Sequence, residues 1–334
     1  MRERGHQMEA ICQPGSGLFC RLTDEGFTVH PLSMYGSVNY VKGVYRVWRL
    51  LSSRQYDVIN THSRRDTVIA AAAARLAGTP LIVRTRHLAK PPGSLWSYTG
   101  LPHKVIAISE YVTQQLLARG VRPNDLDTVF TAVAPLTPAI QSTLRAELRI
   151  EGNALVIGCV GHLRPQKGHR LLLTAIAPLL TSGPDNHLVV AGEGSELESL
   201  KEQARALGCE GRVHFLGRRN DIENVLSGCD IFVLATEFEA LGTSFIEAAA
   251  CGLPVVATSV GGVPEVVKHG ETGLLVPYGD VDQLRDALGT LAADGTLRTR
   301  MGKAGAAYIR SERKFTIAGM AESVEAAYLR WLSR

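Results

Sequence analysis

After residue 150 the chain alternates short β-branched runs with segments whose apolar positions recur at helical spacing. The runs are "ALVIGCVG", "HLVVAGE", "RVHFLG", "DIFVLAT", "PVVATS" and "GLLVP", and "KGHRLLLTAIAPLL" and "SELESLKEQARAL" stand among the helical segments. This alternation is that of a parallel sheet covered by helices. The first half repeats the theme with "YDVINTHS", "PLIVRTRH" and "KVIAIS", followed by "YVTQQLLARG" as a helix. Two doubly wound α/β domains are the simplest architecture. Between them "FTAVAPLTPAI" carries Pro135, Thr137 and Pro138, turn and linker residues that place a boundary near residues 131 to 140. The pattern predicts a first domain over 1–135 and a second over 136–315. An amphipathic helix over 316–334, "FTIAGMAESVEAAYLRWLSR", is expected to pack back on the first domain. The chain opens at "RERGHQMEAIC", read as a helix end running into a second strand, which predicts a first domain without its opening βα unit.

Length and composition narrow the class. At 334 residues and 45% apolar content the chain can bury two cores. Its longest apolar stretches, such as "TVIAAAAA", stop well short of the roughly 18 residues a membrane-spanning helix needs. "MRERGHQMEA" has no apolar core of a signal peptide, so the default compartment is the cytoplasm. The cysteines at 12, 20, 159, 209, 229 and 251 show neither metal-ligand spacing nor the density of a disulfide scaffold, and read as reduced thiols. Charge is uneven: residues 1–150 carry 18 Lys/Arg against 10 Asp/Glu, and residues 151–334 carry 18 against 22. A basic first half fits nucleic acid, an anionic membrane surface or a phosphorylated substrate, and equally a solvated face.

The densest chemistry lies in "EFEALGTSFIEAAACGLPVV", where Glu239 and Glu247 flank Gly242, Thr243 and Ser244. "DIFVLAT" reads as a buried strand, "EFEALG" as a loop at its carboxyl end, and "TSFIEAAACG" as a helix stopped by Gly252 and Pro254. Free amides and the dipole at the helix start make an anion site, and Gly242 lets the backbone approach closely. Glu247 lies four residues, roughly 6 Å along the axis, from that start, about the distance from a diphosphate to a ribose. Glu239 on the loop reaches the group on the far side of the diphosphate. The geometry describes a nucleotide-sugar. A second segment, "GCVGHLRPQKGHRLL", brings His162, Arg164 and Lys167 to a strand's carboxyl end, where open α/β sheets bind ligands. Lys167 or Arg164 there would neutralise a departing diphosphate.

Other motifs carry less. "GEGSEL" holds part of a dinucleotide fingerprint without its third glycine or the acidic residue, which argues against NAD. "DVD" at 280–282 reads as a helix N-cap rather than a metal site, and no metal and no cofactor is expected. "SRR" at 63–65 and "RTR" at 84–86 would hold an anionic acceptor or simply be solvated. No aromatic residues interleave with them as nucleic-acid binding would require.

The segments "VGHLRPQKG", "VVAGEGSEL", "RVHFLG", the Glu-x7-Glu stretch and "CGLPVVATSVGGVPEVVKHGETGLLV" with "GD" after it run in one order through residues 153–334. In that order they resemble the retaining glycosyltransferases of the GT-B fold, family 4, also called glycosyl transferases group 1. The likeness extends more weakly to "YDVINTHS", "LIVRTRH" and "VIAISE". The resemblance implies two Rossmann-like domains facing across a cleft, and a metal-independent transfer of a sugar from a nucleoside diphosphate donor to a lipid-linked or cell-envelope glycan. It also implies residue roles. Glu239 would contact the transferred sugar, Glu247 the ribose, Lys167 the diphosphate, and His87 the reacting carbon and acceptor hydroxyl. Gly161, His162, Arg164, Gly194, Gly242, Thr243 and Ser244 complete the donor set, and His62, Arg64 and Arg86 the acceptor side. Three residues depart from the pattern: His162 stands for the usual arginine, Ala240 for a glycine, and "FTAVAP" for an Asn-Gly linker. The opening and His162 keep one rival in view, a catalytically impaired nucleotide-sugar-binding subunit; among enzymes the rival is a nucleotide-sugar epimerase or phosphorylase, which can also use two facing doubly wound domains. A cytoplasmic protein, peripheral at the inner face of the membrane, is the expected setting.

Overall fold

The apolar runs become parallel strands in a computed structural model that describes residues 1–134, 141–182 and 185–333, without the side chains of Ser37 and Val38. The predicted linker residues Pro135, Thr137 and Pro138 lie outside the described residues. The chain divides into two units, Met1–Val129 with Ala318–Arg334, and Phe130–Ile317. The division differs by a few residues from the one the linker composition predicts. Phe130 meets Phe315 edge-on with ring centroids 5.9 Å apart, and Val133 bridges Thr316, so these two segments near the boundary belong with the second unit.

In the first unit β1 (Glu9–Cys12) and β2 (Thr28–Pro31) pair in parallel around α1 (Gly17–Asp24), which Ser16 caps by accepting from the Phe19 amide. After α2 (Ser37–Ser53) come β3 (Val58–Thr61), α3 (Arg64–Asp66), α4 (Ala72–Ala77), β4 (Leu81–Arg86), β5 (Lys104–Ala107), α5 (Glu110–Ala118) and β6 (Leu126–Thr128). β3 to β6 form a second parallel sheet in chain order. The apolar run "TVIAAAAA" is not a plain helix start: Thr67–Ala71 makes a π-helical turn between α3 and α4, a feature often found beside functional sites.

The second unit holds α6 (Leu144–Glu147), β7 (Leu155–Val160), α7 (His169–Thr181), β8 (Asn186–Ala191), α8 (Leu197–Ala206), β9 (Val213–Gly217) and α9 (Ile222–Ser227). There follow β10 (Ile231–Leu234), α10 (Thr243–Ala250), β11 (Val255–Thr258), α11 (Val263–Val266), β12 (Gly273–Val276), α12 (Val281–Ala293) and α13 (Gly295–Ser311). Every pair in its sheet is parallel, in the order β12-β11-β10-β7-β8-β9. The chain therefore builds outward from β7 to β9, then returns to the other side of β7 with β10. This reversal is a topological switch point, and the carboxyl ends of β7 and β10 flank the crevice it opens. Asp280 accepts from the Gln283 amide at 2.9 Å, which makes the first aspartate of "DVD" the cap of α12.

The closing helix α14 (Ile317–Leu332) belongs to the first unit almost throughout. Ala327 and Trp331 are buried with Leu81, Val83, Ile106 and Val129. Tyr328 accepts from Asn60 at 2.8 Å, Glu325 meets His6 at 2.6 Å and Arg4, and Arg330 pairs with Asp127. The apolar pattern did not single out α1, β2, α2 or the short edge strand β6, and the apolar residues of α2 form one broad arc of which part stays exposed. All six cysteines are free, and among the described residues no helix is long and apolar enough to cross a membrane.

Candidate active site

Four loops meet at the switch point of the second unit. Past β7, Pro165–Lys167 forms a single 3-10 turn, and Gly168 then takes a left-handed conformation that starts α7. The reason it must be glycine is contact: a Cβ there would come within 1.7 Å of the Ala235 carbonyl oxygen. The turn is stitched to the loop after β10, because Gln166 O accepts from the Glu237 amide at 2.8 Å and from Thr236 Oγ1 at 3.1 Å. Through that stitching Lys167 Nζ donates to Glu239 Oε2 at 2.6 Å, both side chains being mostly buried. Two residues 72 positions apart are thus held in one ion pair at the crevice.

The Glu239 loop is also held from behind. Gly261 and Gly262, after β11, press against it. A Cβ on Gly261, whose φ is +54°, would lie 1.9 Å from Glu239 O, and the Gly262 amide donates to that same oxygen at 3.0 Å. After β8, the Leu163 amide donates to Glu193 O and Leu163 O accepts from the Glu196 amide, at 3.0 and 3.1 Å. Gly194 packs on Leu163 O closely enough that a Cβ would come within 2.2 Å, and the Gly161 amide is tied to Ala191 O at 3.0 Å. His162 and Arg164 project from the loop these contacts fix. Both are exposed, and neither side chain has a hydrogen-bond partner among the described residues.

Gly242 caps α10 with no side-chain hydrogen bond at the helix start, so the amides of Thr243 and Ser244 stand with the positive pole of the helix beside Glu239. Glu247 follows one turn inside α10. It is partly buried, its carboxylate has no hydrogen-bond partner among the described residues, and burial raises that carboxyl from the ordinary 4.5 to about 6. A carboxylate desolvated without a donor is what a site designed to grip hydroxyls would leave in the free protein.

In the first unit the predicted residues fall into two groups. His62 follows β3 and His87 follows β4, and His62 Nδ1 and His87 Nε2 are 3.0 Å apart. The imidazoles keep one edge open to solvent, yet packing lowers both pKa values, His87 to about 4, with the His62 ring and the Arg84 guanidinium adding to the shift and Asp66 opposing it. Both rings are neutral at neutral pH, one donating and one accepting across the pair. Ser63 and Asp66 form a capping box at α3 that fixes the chain beside His62, and Arg64 points outward from it. Arg86 is placed differently from an open acceptor-side cation: it is only 4% exposed, and it donates to Tyr98 OH and Lys90 O. β4 is buried along its whole length, so "RTR" turns its two arginines inward.

The structure thus brings Lys167, Glu239, Gly242, Thr243 and Ser244 to one crevice with Glu247 a turn behind, and sets His162, Arg164, Gly161 and Gly194 on the adjoining loops. Sequence reasoning missed three supports. The Gly261–Gly262 pair was visible as a glycine turn after a strand, but not its target. Gln166 acts through its backbone, which side-chain chemistry does not report. His169, the first residue of α7, is 4% exposed with both ring nitrogens unpartnered among the described residues, and burial, with Lys167 nearby, lowers it to about 4.

Comparison with known proteins gives a uniform picture. Residues 140–308 match the family described as glycosyl transferases group 1, and residues 1–130 match the glycosyl transferase 4-like domain. The GDP-mannose-dependent monoacylated alpha-(1-6)-phosphatidylinositol monomannoside mannosyltransferase of Corynebacterium glutamicum is 30% identical over 295 residues, 81% of this chain and 76% of that protein. The UDP-Gal:alpha-D-GlcNAc-diphosphoundecaprenol alpha-1,3-galactosyltransferase of Escherichia coli is 28% identical over 77% of this chain and 72% of that protein. Among solved structures, Anabaena Alr3699/HepE in complex with UDP and glucose superposes with a TM-score of 0.84 at 22% identity, covering 96% of this chain and 98% of that one. The two doubly wound units are the GT-B architecture.

Proposed function

Because the chain belongs to the glycosyl transferases group 1 family, we propose that this glycosyltransferase moves a hexosyl group from a nucleoside diphosphate sugar to a hydroxyl of a lipid-linked or cell-envelope glycan, with retention at the anomeric carbon. The observation that carries the reading is the Lys167–Glu239 ion pair at the switch point, beside the uncapped start of α10. The diphosphate is held by the amides of Thr243 and Ser244 together with Lys167, and the ribose by Glu247. Glu239 then exchanges its bond to Lys167 for the hydroxyls of the transferred sugar, which frees the ammonium to meet the charge that develops on the departing diphosphate. Lys167 and Arg164 supply the cations, so activity without added metal is expected.

The lipid-linked acceptor is carried by the relatives: both curated enzymes described above are named for transfer to lipid-linked acceptors, and both are transferases, which favours transfer over epimerisation. On the family pattern His87 attends the acceptor hydroxyl. Displacement on one face of the sugar, assisted by diphosphate departure, accounts for retention.

The test is a calorimetric screen of UDP-, GDP-, ADP- and dTDP-sugars, followed by transfer to lipid-extract acceptors with chelator present and the product anomer read by NMR. Binding of one donor, an anomer matching the donor's, and a turnover loss of roughly 10²–10³ in Lys167→Ala with donor affinity less affected are expected. Inverted product, or full turnover in Lys167→Ala, overturns the assignment.

A further inference from the structure

Helix α2 carries one broad apolar arc, of which it buries one edge and leaves the other in the open. Gly43, Val47 and Leu51 turn inward, the glycine position lying against Ile69. Val41, Tyr45 and Trp48, spaced i, i+4, i+7, remain 75%, 57% and 37% exposed, and Leu76 of α4 joins them at 69%. With Val44 these side chains line an apolar depression in which the Tyr45 and Trp48 rings lie 5.8 Å apart. Lys42, Arg46 and Arg49 form a parallel stripe displaced by about 100° around the helix from the apolar one. All three are exposed, and none is paired with a carboxylate among the described residues. The sequence has no Asp or Glu from residue 26 to residue 56.

The chemistry of the patch selects its occupant. Tyr and Trp with aliphatic neighbours suit the boundary between acyl chains and headgroups, where an apolar body and a polar tip are both satisfied, and a flanking cationic stripe suits anionic phosphates. A second copy of the chain placed by a two-fold axis on this face would set the cationic stripes against each other, which disfavours a homodimer here. We propose that α2 with Leu76 is the surface by which the protein rests on an anionic phospholipid bilayer. Val41, Tyr45, Trp48 and Leu76 enter the headgroup region while Lys42, Arg46 and Arg49 meet lipid phosphates. The surface rests on the lipid-linked acceptor reading for its purpose alone, since it concerns residues that take no part in holding the donor.

The test is flotation of the full chain with vesicles of phosphatidylcholine alone and of phosphatidylcholine mixed with phosphatidylglycerol, at low and high salt. Binding to the anionic vesicles only is expected. Each cation near such a surface contributes roughly a fivefold gain, so the double variant Arg46→Glu/Arg49→Glu is expected to lose at least tenfold in partitioning. Tyr45→Ser/Trp48→Ser is expected to lose the part that survives high salt. Brominated lipids should quench the wild type more than Trp48→Phe, a readout that decides the matter even if the double variants fail to fold. Donor binding by calorimetry is expected to be unchanged in every folded variant, so a failed donor assignment and a failed membrane assignment give different results. The proposal is overturned if the wild type ignores anionic vesicles, if Arg46→Glu/Arg49→Glu floats as well as wild type, if Trp48 is not quenched, or if the wild type is a dimer that Tyr45→Ser/Trp48→Ser converts to a monomer.

Discussion

Glu247 offers a perturbation in which stability and function are expected to move in opposite directions. Its carboxyl is raised from 4.5 to about 6 by burial, and no donor among the described residues offsets that cost. The folded state therefore binds this proton more tightly than the unfolded state does. Between pH 4.5 and 6 the fold carries more protons than the unfolded chain, and stability falls as pH rises through that window. A shift of this size corresponds to about 2 kcal/mol at pH 7 and above. Replacing Glu247 with glutamine removes the ionisation while keeping the shape, so the variant is expected to be more stable than wild type by up to about 2 kcal/mol at pH 8, and equal to it below pH 4.5. For a unit of this size that is a rise in Tm of roughly 4–8 °C. Glutamine still brings a polar amide to the same place, which bounds the gain from above. The same change exchanges a charged acceptor of ribose hydroxyls for a neutral one and is expected to weaken donor binding by roughly ten- to a hundredfold. Paired thermal melts from pH 4 to 8, with calorimetry against the best-binding nucleotide sugar, check both arms. Parallel melting curves for the two proteins across that range would refute the claim that an unsatisfied buried carboxylate occupies this position.

Two further outcomes follow from the supports around the pair and from the histidines. Gly261→Ala places a Cβ 1.9 Å from Glu239 O at a backbone angle L-residues rarely adopt, so a stability loss of about 1–3 kcal/mol and a fall in turnover are expected, read by denaturant melts and transfer assays; a variant with wild-type stability would show that the loop after β11 does not buttress Glu239. His87 is expected to titrate near pH 4 by NMR and to contribute stability that is full above pH 6.5 and lost as pH falls through 4, whereas His62→Ala, by removing one of the groups that depress it, should move its midpoint upward; a wild-type midpoint at 6.5 would sink the account of the pair.

What the sequence disclosed and what it withheld divide along one line, the separation between residues that must meet. Strands β7, β8, β10 and β11 were legible because each is buried on both faces and so reads as a continuous apolar run with no need to know its neighbours. Lys167 and Glu239 were each legible as polar residues just past such a run. That they touch depends on β10 returning beside β7, and no local pattern records sheet order. The same limit explains Arg86, which a linear reading sets in solvent with its basic neighbours: the burial of β4 and the position of Tyr98 turn it inward. Gly261 was visible as a turn but silent about Glu239, because a glycine announces that something approaches closely and not what approaches. Helix α2 failed for another reason. Its apolar residues run in one broad arc opposite Lys42, Arg46 and Arg49, so the helix is amphipathic in sequence, but the pattern does not say how much of that arc the core covers. An apolar arc wider than the core beneath it is therefore the place to look for a partner, and in α2 the uncovered part is Val41, Tyr45 and Trp48.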